Sequence, residues 1–339
     1  MIFLCRLLTK VFFFVLYAFV CFGWLLFVGE TIYTPVLKRY LVSGNKSKYT
    51  GFQLAGNPLR SVKMLATSGV IVREFIRVLS SISGSVEKLE IGACNIDDAM
   101  FSDVVAAIQK HNVLRELVLN HNSISSLDKL KNLGAAIKYL DFSYNRLKSI
   151  SRHDFQSVVN LEKLLLGGNK LQDASGLENL IHLAELNLDN NQITNITGLK
   201  NLKNLARVRL DINRITNLDV FAIDKTKLKV LILTNNDITD ISPLGNLINL
   251  QHLEINQNKV SNISSLYHLR QLSAVLLGGN SPLINKTDIV KLQDVLGPPF
   301  GCETYVKDVC VAQPTSCRNC IFCQGTKSND QFHFNPNNC

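Results

Sequence analysis

The cysteines near the carboxy terminus are the residues whose type and spacing could most directly do chemistry. An even cluster among Gly, Pro and Asn residues is typical of three disulfides in an exported protein. The Cys-x-x-Cys-x-x-Cys run within it also has ligand-like spacing, and His333 could complete a zinc site. We favour disulfides, because other features of the chain indicate export. The six cysteines, of nine in the chain, are Cys302, Cys310, Cys317, Cys320, Cys323 and Cys339.

The sequence carries no recognisable catalytic motif. It has no phosphate-binding loop, no Gly-x-Ser-x-Gly elbow, no His-Glu-x-x-His and no dinucleotide fingerprint. Its seven histidines are scattered along the chain. We therefore predict a protein that is not an enzyme and that binds no cofactor and no metal. An enzyme that uses zinc at the carboxy-terminal cysteines is the alternative.

An apolar run near the amino terminus predicts membrane insertion. Residues 11–29 contain no charge and, as a helix, could just cross ~30 Å of hydrocarbon. We interpret residues 1–29 as an uncleaved signal anchor, with a cleaved signal peptide as the alternative. In either case residues 30–339 would be lumenal or extracellular, on a single-pass membrane protein or a secreted one. Four glycosylation sequons agree with export, at Asn45, Asn195, Asn262 and Asn285.

The net charge of +9 is distributed unevenly along the chain. Residues 1–48 hold six Lys or Arg and one acidic residue, whereas residues 49–280 hold 25 basic and 21 acidic residues. The basic excess thus lies beside the predicted span, where it favours contact with lipid headgroups. Because the repeats show no Arg-rich stripe with interleaved aromatics, we predict no nucleic-acid partner.

One motif is repeated nine times in the middle of the chain. It has the frame Leu-x-x-Leu-x-Leu-x-x-Asn and recurs every 22 to 28 residues. A period of this length is the signature of a solenoid, in which no repeat can bury its apolar face alone. The ninth position of the frame falls at Cys94, Asn122, Asn145, Asn169, Asn191, Asn213, Asn236, Asn258 and Asn280.

Each repeat predicts a short strand, a turn and a compact return. Leu186 and Leu188 alternate with polar residues, which is typical of a strand with one buried face. Nine such strands, parallel at ~4.8 Å, would form a sheet roughly 40 Å long. The Asn side chain, or the small thiol of Cys94, would satisfy backbone groups in the turn. About a dozen residues close each coil, so the convex side should be 3₁₀ or extended rather than α-helical.

The start of the array departs from this pattern. Residues 98–109 have the length and pattern of a real helix. A second amphipathic run, residues 71–82, carries Ile71, Phe75, Val78, Leu79 and Ile82 on one face. We assign residues 30–50 to a juxtamembrane linker and 51–85 to an amino-terminal cap, with 52–57 as a degenerate repeat. Residues 86–300 form the repeats, and 301–339 a cysteine-rich cap over the open end.

Residues 236–250 resemble the 22-residue class of leucine-rich repeats, which includes bacterial internalins and the leucine-rich regulatory subunit of protein phosphatase 1. The sequence there is Asn-Asp-Ile-Thr-Asp-Ile-Ser-Pro-Leu-Gly-Asn-Leu-Ile-Asn-Leu. The resemblance covers about residues 86–285 and implies an α/β solenoid, a horseshoe with a parallel concave sheet. It is specific for fold and not for function, because the consensus residues are the buried ones. The early repeats are longer than in an internalin array.

The strand residues that should face solvent suggest where a partner binds. Lys163, Glu185 and Arg207 alternate in sign and would pair across strands, at about 0.2–1 kcal/mol each. Apolar residues are mixed among them, namely Leu165, Ile212, Val230, Ile232 and Leu276. Apolar, aromatic and Arg residues together are typical of a binding hot spot. The predicted partner-binding residues are Tyr139, Tyr144, Leu165, Glu185, Asp189, Arg207, Arg209, Asp211, Ile212 and Ile232.

These observations predict a membrane-anchored or secreted leucine-rich-repeat ectodomain of the recognition, adhesion or receptor type. It would bind a protein ligand on its concave face and contact the membrane through residues 11–29. An intracellular leucine-rich-repeat scaffold or phosphatase regulatory subunit, which the resemblance also allows, is the alternative. The apolar start and the cysteine-rich end weigh against that alternative. The sequence leaves the ligand and the oligomeric state open.

Overall fold

In the computed structural model, ten parallel strands form one sheet in chain order. The structure describes residues 61–65, 72–73, 75–76, 79, 86–109, 113–280 and 284–296. Each strand pairs with the next, so equivalent positions of the repeat lie side by side across the sheet. The strands are β1 Ser61–Leu65, β2 Lys88–Gly92, β3 Glu116–Val118, β4 Tyr139–Asp141, β5 Lys163–Leu165, β6 Glu185–Asn187, β7 Arg207–Arg209, β8 Val230–Ile232, β9 His252–Glu254 and β10 Ala274–Leu276.

The core is a continuous column behind this sheet. Leu186 lies between Leu164 and Val208 on the neighbouring strands, and all three are fully buried. Burial of each such side chain stabilises the fold by about 1.5–3 kcal/mol. Within the column near the amino-terminal repeats, the rings of Phe101 and Phe142 meet edge to face with their centroids 5.5 Å apart.

The convex side is made of short 3₁₀ helices, as the coil length predicts. The exception is the predicted helix of the first long repeat, α1 Asp98–Ile108, for which Asp97 is the N-cap and accepts a hydrogen bond from the Met100 N–H at 2.8 Å. In the second predicted amphipathic run, the described residues are helical, and Val72, Ile76 and Leu79 are buried. The 3₁₀ helices are Asp128–Asn132, Thr197–Leu199, Asp219–Phe221, Ser242–Asn246 and Ser264–His268.

The sheet has one strand more than the nine predicted. Strand β1 lies inside the predicted amino-terminal cap and pairs in parallel with β2, with Val62 opposite Leu89 and Met64 opposite Ile91 in the backbone register. The sequence signal was weak because Thr67 stands where the ladder Asn would be. The predicted degenerate repeat, residues 52–57, lies outside the described residues, and β1 is a strand that the nine-repeat frame did not include.

A helix that the sequence analysis did not anticipate, α2 Lys286–Leu296, packs against the last 3₁₀ helix. Its Ile289 and Leu292 are buried in the core. The Tyr267 hydroxyl donates to the Asp288 carboxylate at 3.0 Å. This helix covers the end of the last described repeat, the role predicted for residues 301–339. That cysteine-rich segment lies outside the described residues, as do the predicted linker and anchor.

No helix in the described part of the chain is long and apolar enough to cross a membrane. The predicted span, residues 11–29, lies outside that part.

Candidate partner-binding surface

The predicted ladder residues hold each turn to the neighbouring coils. The Oδ1 atom of Asn213 accepts a hydrogen bond from the Ile193 N–H at 2.9 Å. Its Nδ2 donates to the carbonyls of Leu188 and Leu210, both at 3.0 Å. The other ladder asparagines repeat this pattern from Asn122 to Asn280. Cys94 is buried in the same slot, and its thiol donates to the Gly92 carbonyl at 3.1 Å.

Charged residues on the concave strands form alternating pairs. The Lys163 ammonium lies 3.0 Å from the Glu185 carboxylate, and the Arg207 guanidinium lies 3.4 Å from it on the other side. Lys88 and Glu116 pair in the same way at 2.8 Å. Because these side chains are partly solvated, each pair is worth at most about 1 kcal/mol. The ladder Lys163–Glu185–Arg207 is therefore accounted for by sheet stability alone.

Arg209 is the centre of a second charged group. Its guanidinium lies 3.3 Å from Asp211 and 3.7 Å from Asp189. Burial raises the pKa of Asp189, the nearby Asp211 raises it further, and Arg209 partly offsets both. Burial lowers the pKa of Arg209, but the two carboxylates outweigh burial and raise it overall. Arg209 is thus a fixed cation whose side chain remains 40% exposed.

Two expectations for this surface need correction. Asp211, expected to face solvent, is only 9% exposed, because it lies beside the Arg209 guanidinium. Of the apolar residues expected to face solvent, only Ile212 is well exposed, at 46%. The other four are half-buried: Leu165, Val230, Ile232 and Leu276. The first three lie between two flanking strands, whereas Leu276 is on β10 and pairs only with β9 among the described strands.

The two predicted aromatic residues are in different environments. Tyr139 is half-buried with the Lys163 ammonium 5.2 Å from its ring centroid, and burial followed by the charge of Asp141 raises its pKa. Tyr144 is 43% exposed. Its ring stacks on that of His121 with the centroids 4.3 Å apart and the planes 7° from parallel.

Tyr144 and Ile212 belong to a row that the sequence analysis missed. At the eighth position of the frame, the backbone is left-handed in every repeat from Ala93 to Gly279, with φ between 49° and 69°. This conformation directs the N–H of the residue to the next coil, as from Ile212 to the Thr234 carbonyl at 2.8 Å. The signal in the sequence was the recurrence of Gly and Asn. The left-handed row is Ala93, His121, Tyr144, Gly168, Asn190, Ile212, Asn235, Gln257 and Gly279.

Three of the four sequon asparagines are described, and all three are exposed on the convex side of the turn. The Oδ1 atoms of Asn195, Asn262 and Asn285 accept the N–H two residues further on, at 2.9, 2.9 and 3.1 Å. They therefore have a role in Asx turns whether or not they carry a glycan. Asn45 lies outside the described residues.

No group of three His, Cys, Asp or Glu side chains that could hold a metal ion occurs among the described residues. The concave surface combines a paired charge ladder, a fixed Arg, a partly covered apolar strip and two exposed residues in the left-handed row. A parallel sheet with an Asn ladder and a 3₁₀ convex side defines a solenoid of the leucine-rich-repeat type.

Comparisons with known proteins agree with this class. The family described as "Leucine rich repeat" matches residues 112–171, and "Leucine Rich repeats (2 copies)" matches residues 159–201 and 226–281. The chain is a leucine-rich-repeat protein. Members of this class are generally protein-interaction scaffolds, and no catalytic family is indicated. A comparison with curated proteins finds no match.

Solved structures that are similar to this chain include two internalins of Listeria monocytogenes. Internalin C2 is 30% identical over 60% of this chain and 90% of its own, with a TM-score of 0.49. The internalin InlF is 23% identical over 69% of this chain and 77% of its own, with a TM-score of 0.52. A TDR receptor is 20% identical over 66% of this chain and 39% of its own, with a TM-score of 0.51. The two latter likenesses show the fold alone.

Proposed function

We propose that this protein is a non-enzymatic recognition protein that binds another protein through the middle of its concave sheet. The observation that carries the proposal is the exposure of Ile212 at φ 55°. A β-branched residue is strained in this conformation, and such strain accumulates at functional sites. Because the side chain is 46% exposed, packing compensates for only part of this strain, and we infer that Ile212 contacts a partner.

The neighbours of Ile212 fit this role. Arg209 is held by Asp211 and Asp189, so binding would restrict few further rotamers of its side chain. Ile232 lies directly opposite Arg209 on the next strand and is half-buried. A guanidinium beside an apolar strip is the composition of residues that dominate binding energy when a partner excludes water.

We further propose that the repeats face the lumen or the cell exterior, anchored or released at the amino terminus. The uncharged residues 11–29 support this proposal, as do the sequons and the carboxy-terminal cysteines. An intracellular scaffold would use the same concave surface. The exported protein and the intracellular scaffold therefore differ in compartment and not in the surface that binds the partner.

The experiment is quantitative capture of partners from cells by the full chain, followed by affinity measurement on whatever is retained. Arg209→Ala and Ile232→Asp should each weaken binding by more than ~1 kcal/mol, because both lie at the centre of the contact. Two controls are Lys131→Ala, on the convex side, and Ile248→Asp, at a side chain that is 57% exposed.

Circular dichroism and the melting temperature should stay unchanged in all four variants. A partner that binds wild type and both concave variants equally, with folding intact, would contradict the proposal.

A further inference from the structure

Four basic residues follow the ladder turns on one flank of the solenoid. Arg146, Lys170 and Arg214 come directly after a ladder Asn, and Lys148 comes two residues after Arg146. All four are exposed, and none forms an ion pair with a carboxylate of the described residues. On the concave strands, by contrast, Lys163, Arg207 and Arg209 are paired. We call these four residues, Arg146, Lys148, Lys170 and Arg214, the basic flank.

The backbone holds the basic flank in register. The Arg146 N–H donates to the Ile124 carbonyl at 2.8 Å, and the equivalent bonds of Lys170 and Arg214 are 2.8 and 2.9 Å. These three residues therefore lie at the same place on their coils, with one coil between Lys170 and Arg214. The cations are 24 and 44 residues apart in sequence, and the solenoid gathers them on one side.

The basic flank has a net positive charge because the turn segments around it contain few acidic residues. In the turn segments 146–149, 170–173, 192–195 and 214–217, the single acidic residue is Asp173. Its Oδ1 accepts the Ser175 N–H at 2.9 Å, so it is already committed to a turn. Four cations and one carboxylate leave a formal charge of 4 − 1 = +3. The stretch ends at the next coil, where Asp237 pairs with Lys259 at 2.6 Å.

Two exposed apolar residues border these cations. Tyr144 and Arg146 flank the buried Asn145, and Ile212 and Arg214 flank the buried Asn213. The Tyr144 ring is fixed between His121 and the backbone of Gly168, where an added Cβ would lie 2.5 Å from the ring. Tyr144 is thus a fixed side chain that remains 43% exposed, two residues before Arg146.

We propose that the basic flank binds an acidic segment of a polypeptide, with apolar side chains of that segment on Tyr144 and Ile212. This inference rests on the proposed function and names the chemistry of the partner. Charge complementarity selects an acidic ligand. The carboxylates of Asp189 and Asp211 lie just after strands β6 and β7 and would repel a continuous polyanion, so a peptide of mixed character fits better than a nucleic acid.

The test uses the full chain and a fluorescent peptide of about 15 residues that repeats Glu-Glu-Leu. A Gln-Gln-Leu peptide and an oligothymidine of similar length are the comparison probes. The flank variant carries Arg146→Gln, Lys170→Gln and Arg214→Gln. The control carries Lys131→Gln, Lys200→Gln and Lys229→Gln, which remove the same charge from exposed residues elsewhere. Tyr144→Ser tests the apolar contact.

The flank variant should bind the Glu-Glu-Leu peptide at least about tenfold more weakly than wild type, and the control within about twofold. Tyr144→Ser should weaken it with the net charge unchanged. Equal losses in the flank and control variants would overturn the proposal, since they would show a general charge effect. So would tighter flank-dependent binding of oligothymidine. Partner affinity that is unchanged in Arg209→Ala, with flank-dependent peptide binding retained, would instead contradict the concave-face proposal alone.

Discussion

Ile212 has a left-handed backbone conformation, which the fold requires at this position but which a β-branched side chain disfavours. Every repeat needs a left-handed residue at the eighth position, because its N–H then reaches the next coil. Gly168, Asn190 and Asn235 adopt this conformation at low cost. Ile does not, and because its side chain is 46% exposed, packing compensates for only part of the strain.

We therefore expect Ile212→Asn to stabilise the protein while weakening partner binding. Relief of the left-handed strain should raise the free energy of unfolding by about 1 kcal/mol. Urea denaturation measures this change. The reciprocal substitution Asn190→Ile, one coil away in the same row, should destabilise by a similar amount. Destabilisation by Ile212→Asn would show that the side chain has a structural role.

The ladder asparagines carry more of the stability per residue than any surface pair. Asn213→Ala removes four hydrogen bonds and leaves the buried Ile193 N–H without its partner, whereas the Leu188 and Leu210 carbonyls keep bonds from Asn191 and Asn236. We expect a loss of about 1–3 kcal/mol in unfolding free energy. The matched control is Asn246→Ala, an exposed Asn with one hydrogen bond to the Ala222 carbonyl, which should cost less than about 1 kcal/mol. Equal effects at the two sites would contradict a special role for the ladder.

The raised pKa of Asp189, which lies beside Arg209, should affect how the free energy of unfolding depends on pH. Because the pKa of Asp189 is raised in the fold, the folded state binds a proton more readily than the unfolded state. The ionised carboxylate thus weakens the fold at neutral pH, and this penalty is relieved as the pH falls through the raised pKa towards the ordinary value of 3.8. Asp189→Asn should therefore stabilise the protein at pH 7 relative to wild type, with a smaller gain near pH 4.

Asp224 supplies a comparison of opposite sign. Its pKa is lowered by the hydrogen bond and charge of Lys203, so its contribution is present at neutral pH and is lost as the pH falls through the lowered pKa. Asp224→Asn should lower stability at pH 7 and converge with wild type in acid. If Asp189→Asn stabilises the protein equally at pH 7 and pH 4, the raised pKa of Asp189 does not explain its effect on stability.

Among the elements, helix α2 decides how the solenoid ends. A bare terminal coil would expose core leucines and unpaired strand groups. Ile289 and Leu292 instead pack over the last repeat, and the Arg270 guanidinium donates to the Val295 carbonyl at 2.6 Å. The end of the described core is thus closed by a helix that lies before the cysteine-rich segment.

Leu292→Ala should consequently destabilise the carboxy-terminal repeats. We expect a cost of about 2–5 kcal/mol, because a fully buried side chain is truncated. Hydrogen exchange should show the faster opening concentrated in β10 and the adjacent 3₁₀ helix, since a solenoid transmits stability mainly between neighbours. Val290→Ala, at a side chain that is 40% exposed on the same helix, is the control. Unchanged protection of β10 in Leu292→Ala would rule out the capping role.

For the complete protein, the membrane topology can be measured directly. If residues 11–29 are a retained anchor, the protein should remain in the membrane pellet after carbonate extraction. Endoglycosidase treatment should increase its gel mobility through loss of glycans from the sequons. A soluble mature chain beginning near Glu30 would favour the cleaved signal. A cytosolic chain without glycans on any of the four asparagines would exclude export.

The sequence alone was sufficient for the class of fold and for the rows within it. The leucines and asparagines recur at one period, and each is buried against its own copies, so local spacing already specifies the coil and the inward positions. Strand β1 was missed because Thr67 breaks the frame, and α2 because its amphipathic pattern lies outside the repeat.

The exposure of the residues between the consensus positions could be determined only from the tertiary structure. Their exposure depends on side chains 22 residues away on both neighbouring coils. All three of Asp211, Ile232 and Ile212 were expected to face solvent. When the coils stack, Asp211 is buried beside Arg209, Ile232 is half-buried and Ile212 remains exposed. Stacking also brought Arg146 and Arg214, 68 residues apart in sequence, onto one flank. A recognition surface on a solenoid is formed between repeats, so the spacing within one repeat cannot specify it.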